Sequence, residues 1–74
     1  MQLTVKLFAT FRQGRFEVAA LERPAGTTVG GLVDELAIPR GEIGFVLVRG
    51  RHAELDHQPA PGDTVSIFPL VGGG

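Results

Sequence analysis

The chain has no cysteine. That absence removes disulfides, thiolate zinc sites and cysteine nucleophiles together, so any core must stand without covalent staples. No apolar run approaches the ~20 residues that span a bilayer. The opening from Met1 to Ala9 carries no signal-peptide cleavage pattern, and a cytoplasmic protein with no membrane partner is expected. An excess of one charge is missing too: seven basic against eight acidic side chains leave a formal net charge of -1. Binding to nucleic acid or to an anionic surface through a basic field is therefore not expected. Length is short as well, at 74 residues. Area scaling for a chain of this size buries roughly 60% of the unfolded surface, enough for one thin core and too little to enclose a deep cleft.

What is present is globular in character, with 43% apolar and 20% charged residues. From Gln2 to Phe8 the sequence alternates, with Leu3, Val5 and Leu7 on one side and Gln2, Thr4, Lys6 and Phe8 on the other. Arg12-Gln13-Gly14 offers a turn before a second apolar run from Phe16 to Leu21, and the two runs predict a β-hairpin. Pro24-Ala25-Gly26 breaks the pattern. Thr27 or Thr28 can then cap a helix whose apolar stripe is Val29, Leu32, Val33 and Leu36, at i, i+3, i+4 and i+7. Gly30 and Gly31 in its first turn cost roughly 1 kcal/mol each against alanine, so this helix needs packing to hold it. Pro39 ends it.

Phe45 to Val48 reads as a strand followed by a turn at Arg49-Gly50-Arg51. The stretch from His52 to Pro61 is polar and proline-bearing, which predicts loop with at most a short edge strand. After the turn residues Pro61-Gly62-Asp63, Thr64 to Phe68 alternates again, with Val65 and Ile67 opposite Thr64, Ser66 and Phe68. Pro69 is expected to stop that strand. A single helix cannot bury its stripe alone and must cross one face of the sheet. The predicted fold is α+β, a β-grasp: a mixed sheet of four to five strands, its first and last long strands parallel in the middle. Residues 1–69 form the body and 70–74 a C-terminal tail.

That tail is the informative segment. Leu70-Val71-Gly72-Gly73-Gly74 follows a strand-ending proline. A frayed end or linker is one reading. The other is that the terminal carboxylate of Gly74 is the working group, since residues without Cβ atoms can thread a narrow channel and approach a nucleotide closely.

Lys6-Leu7-Phe8-Ala9 with Phe11-Arg12, Gly62-Asp63-Thr64-Val65, Ile67-Phe68-Pro69, Val71 and the terminal glycines resemble the MoaD/ThiS family of ubiquitin-like sulfur carriers, nearly end to end. The resemblance implies a cosubstrate more than an enzyme. A ubiquitin-activating-type adenylating enzyme would use ATP and Mg²⁺ to convert the Gly74 carboxylate to an acyl-adenylate, with no cofactor bound to the carrier itself. Sulfide from a cysteine persulfide on other proteins would then displace AMP, leaving a thiocarboxylate on Gly74. Gly72 and Gly73 would insert into the acceptor enzyme, either the large subunit of molybdopterin synthase or thiazole synthase. The first strand and Ile67-Phe68-Pro69 resemble the molybdopterin branch. The ending Val71 to Gly74 is one that thiamine carriers also use, and Arg49-Gly50 stands where Asn-Gly is common in the family. A ubiquitin-like modifier or interaction domain without a sulfur role is the alternative from another class.

Phe8 and Phe68 sit on the strand face opposite the core stripe, each at the C-terminal end of its strand. As parallel neighbours they would form an exposed aromatic patch beside the root of the tail, and Phe8, Phe68, Pro69 and Leu70 are expected to dock a partner. Tucking under a loop is the plainer reading of those rings. His52 and His57 read as solvated loop residues, not metal ligands. Asp34 and Glu35 diverge on a helix, as a solvated face does. Gly26 to Gly31 lacks the Lys-Ser/Thr of a phosphate loop. The sole lysine, Lys6, reads as a solubilising strand residue.

Overall fold

The computed structural model describes residues 1–71. Strand β1 (Gln2–Leu7) pairs antiparallel with β2 (Val18–Glu22) and parallel with β5 (Thr64–Pro69). On its other side β5 pairs antiparallel with β3 (Ile43–Val48), and β3 with the two-residue β4 (Arg51–His52). The strand order is β2-β1-β5-β3-β4, so the first and last strands are the parallel pair at the centre. Helix α1 (Val29–Glu35) delivers Val29, Leu32 and Val33 to a core shared with Leu3, Val5, Leu7, Val46, Val48, Val65 and Ile67. This is the β-grasp fold.

Local signals account for most of α1. The Thr28 hydroxyl accepts from the Gly31 amide at 3.0 Å, satisfying one orphan donor of the first turn. The amides of Val29 and Gly30 donate to the carbonyls of His57 and Leu55 at 2.9 and 2.7 Å. Gly30 is there for that approach: an added Cβ would lie 2.8 Å from the Arg40 guanidinium and 3.1 Å from the Leu55 carbonyl oxygen. The loop after β4 thus adds hydrogen bonds to a helix whose packing comes from the core that Val29, Leu32 and Val33 enter.

Several boundaries differ from the sequence reading, the helix among them: it ends at Glu35, with Ala37 turning the chain at a φ of 58°, and not at Pro39. The second strand begins at Val18, not Phe16, because a 3₁₀ turn at Ala9–Arg12 buries Phe11 in the core and lengthens the hairpin connection. Phe16 packs on the edge of the core instead. The third strand starts two residues before Phe45, where Ile43 pairs with Pro69. Pro69 is the last residue of β5 and not a stop before it. Leu70 donates its amide to the Glu42 carbonyl at 3.0 Å, so the β3 edge stays bonded, and β1 has already ended at Leu7 on the other side. A proline there forfeits no ladder bond.

Candidate functional site

The root of the tail lies beside a row of rings that crosses the sheet on the face away from α1. Phe8 follows β1, and Phe68, Phe45 and His52 belong to β5, β3 and β4. Phe8 and Phe68 stack with centroids 4.1 Å apart and planes 10° from parallel. Phe68 and Phe45, register partners across β5 and β3, stack at 4.4 Å and 15°. His52 closes the row against Phe45 at 5.4 Å. The Arg12 guanidinium stands 5.5 Å from the Phe8 ring centre, donates to the Leu7 carbonyl at 2.8 Å and faces Glu17 at 3.6 Å.

Phe8 and Phe68 therefore lie together beside the tail root as expected, but they are half-buried by each other and not openly exposed. The exposed large apolar side chains are Val18, Leu70 and Val71, at 52%, 63% and 84%. Pro69 is half-buried and Leu70 projects its side chain outward while its amide is bonded. Gly72, Gly73 and Gly74 lie outside the described residues. Phe45 was missed as a member of this row. Its place in a short apolar run gave no sign of which face it takes, and only the pairing with Phe68 reveals it.

Elsewhere several charged residues are held in structural pairs. Asp34 accepts from the Arg40 guanidinium at 3.0 and 2.8 Å. Glu35 accepts from Arg23, whose Nε lies at 2.8 Å. These hydrogen bonds hold both carboxyls below their ordinary pKa, with Coulomb attraction adding to them and desolvation opposing. The two carboxylates thus face different partners, as diverging neighbours on a helix should. Asp63, nearly buried, accepts from the Ala60 amide at 2.8 Å and closes the turn before β5. His52 and His57 line an open depression of about 600 Å³ with Arg49, Arg51 and Asp63. Among the described residues no group of three or more metal-ligating side chains converges, and no helix is long and apolar enough to cross a membrane.

The sequence profile of the ThiS family matches residues 5–74, nearly the whole chain and including its glycine end. The chain belongs to the ThiS family. Its ubiquitin-like fold is shared with SAMP1 from Haloferax volcanii, which is 28% identical with each chain fully covered and a TM-score of 0.76. A Pyrococcus furiosus protein described as molybdopterin converting factor subunit 1 is 30% identical, with 96% of this ThiS-family chain and 99% of that one covered, at a TM-score of 0.75. Subunit 1 of the molybdopterin-converting factor from Helicobacter pylori, solved in complex with subunit 2, shares the fold at 18% identity, full coverage of both chains and a TM-score of 0.67. No curated protein sequence matches this one.

Proposed function

We propose that this chain is a sulfur carrier whose Gly74 carboxylate is activated and converted to a thiocarboxylate. The observation that carries the reading is the family match running through the glycine end, and it is supported by the aromatic row beside Pro69 and Leu70 at the root of the tail. In the first step a carboxylate oxygen of Gly74 attacks the α-phosphorus of ATP held with Mg²⁺ by an adenylating enzyme, and pyrophosphate leaves. Hydrosulfide delivered by a partner then adds to the acyl carbon, and AMP leaves with the electron pair of the broken C–O bond. Loss of the S–H proton leaves the thiocarboxylate. The carrier supplies the docking face, with Phe8, Phe68, Pro69 and Leu70, and the tether through Gly72 and Gly73. Its partners supply the catalytic groups, in the cytoplasm where ATP is at hand.

The favoured sulfur acceptor is the large subunit of molybdopterin synthase, supported by the Pyrococcus relative. Thiazole synthase is the other acceptor of the same chemistry. A second reading, a protein modifier whose C-terminus forms an amide, is favoured by the end-to-end likeness to SAMP1.

Mass spectrometry of the protein purified from its own cells separates these. A C-terminus with one oxygen replaced by sulfur supports the carrier, and a conjugate to a lysine of another protein supports the modifier. Deleting Gly73 and Gly74 should leave thermal stability unchanged and abolish activation. A truncated protein that still takes up sulfur at the full rate refutes the role of Gly74.

A further inference from the structure

The backbone of β3 closes unusually tightly on the end of β5. An added Cβ at Gly44 would lie 2.5 Å from the Pro69 carbonyl oxygen, 3.0 Å from its carbonyl carbon and 3.2 Å from the Leu70 Cα. These are backbone atoms, which cannot swing aside as a side-chain tip can. The φ of Gly44 is not positive, so glycine is needed here for space and not for conformation. The β3–β5 pairing is irregular at this point, with a register shift between Ile43 and Phe45. Two residues before Gly44, the Glu42 carbonyl accepts the Leu70 amide. Side-chain exposure of Leu70 thus coexists with a backbone that is held on the sheet.

We infer that Gly44 is a positioning residue for the C-terminal tail: it lets β3 clasp Pro69 and Leu70, and so fixes where the tail leaves the fold and how far it reaches. With Leu70 held, the four residues from Val71 to Gly74 span at most about 14 Å, against about 17 Å if the tail were free from Pro69 onward. That difference is close to one residue. A carboxylate delivered to an in-line attack on phosphorus tolerates little misplacement, since an error of about 1 Å can cost up to about a hundredfold in rate. The clasp therefore acts as a length stop for the terminal carboxylate. This inference rests on the carrier reading above, and Glu42 takes part through its backbone alone.

Gly44→Ala tests it, with Gly41→Ala as the matched control, because an added Cβ at Gly41 meets nothing within 4 Å. Two quantities are read. Hydrogen exchange at the Leu70 amide reports the clasp in the isolated protein and should quicken about tenfold or more in Gly44→Ala and stay unchanged in Gly41→Ala. ATP–pyrophosphate exchange, with an adenylating enzyme that accepts the wild-type chain, should show kcat reduced about tenfold with KM within about twofold for Gly44→Ala only. Inserting one glycine between Leu70 and Val71 leaves every described contact in place. It should also lower kcat, without changing Leu70 exchange, and it decides the matter should Gly44→Ala fail to fold. Wild-type exchange at Leu70 in a folded Gly44→Ala protein, or wild-type turnover by that protein, overturns the inference. So does wild-type turnover by the insertion if Gly44→Ala does not fold. Should no adenylating enzyme act on the wild-type chain, the carrier reading fails, while Leu70 exchange still reports on the clasp.

Discussion

Phe8 stacks face to face on Phe68 at 4.1 Å, a side-chain contact that extends the backbone pairing of the first and last strands past Leu7 and Ile67. Because Phe45 covers the opposite face of Phe68, the central ring is held from both sides. The row is thus rigid as well as apolar. In the docking role proposed for it, a row ordered before a partner arrives has less conformational freedom to lose on binding.

Truncating the rings separates the two contacts. Phe68→Ala should destabilise the fold more than Phe8→Ala, because it loses stacking on both faces. A double-mutant cycle between Phe8 and Phe68 should return a coupling of about 0.5–1.5 kcal/mol by urea unfolding. A coupling of zero would show that the rings merely lie near each other. Charged replacements at either position should weaken partner binding by more than about 1 kcal/mol.

Arg15 closes the end of α1 from a distance. Its guanidinium donates to the carbonyls of Leu36 and Ala37 at 2.8 and 3.0 Å and to that of Phe11 at 3.3 Å. The last turn of α1 has no basic residue of its own. Arg15→Ala should cost about 1–2 kcal/mol, through lost hydrogen bonds and a lost cation at the negative helix end. Arg15→Lys should recover little of it, because one ammonium on a flexible stem cannot reproduce the fork. Full recovery by lysine would reduce the effect to charge alone.

Acid should weaken the fold through Asp34 and Glu35. Both pKa values are lowered in the folded chain, so the folded state binds fewer protons than the unfolded state across that range. Their contribution is complete above the unfolded carboxylate range, about pH 4, and is lost as pH falls through the lower folded values. Urea midpoints at about pH 7 and about pH 3 should differ less in the Asp34→Asn, Glu35→Gln double variant than in the wild type. An equal drop in both proteins would place the acid sensitivity elsewhere.

The turn between β3 and β4 has room for improvement. Arg49 and Gly50 both adopt positive φ, 54° and 78°, as a two-residue type I′ hairpin loop requires. A side chain with an ordinary Cβ is disfavoured there, and asparagine is tolerated. Arg49→Asn should therefore stabilise the protein by about 1 kcal/mol. The Arg49–Asp63 approach at 3.7 Å involves a guanidinium that is 76% exposed and offsets little of this. A lower melting temperature would show that this ion pair outweighs the backbone cost.

The sequence alone determined the pieces whose causes are local. Alternation at Leu3, Val5 and Leu7 and at Val65 and Ile67 marked the central strands, and the stripe from Val29 to Leu36 with Thr27 or Thr28 ahead of it marked the helix. The need to bury that stripe then selected a helix on a mixed sheet. The terminal glycines stood out because no packing argument explains them. Tertiary structure decided what depends on register and on distant backbones meeting. Phe45 became the third ring only when β3 paired with β5, and Arg15 became a helix cap only when the hairpin connection reached the end of α1. Ile38 joined the core after the helix because Ala37 turns the chain at a φ of 58°. Gly44 shows the limit most sharply. Periodicity passes over a residue without a side chain, and its role lies in the 2.5 Å that a Cβ would leave to a carbonyl twenty-five residues further along the chain.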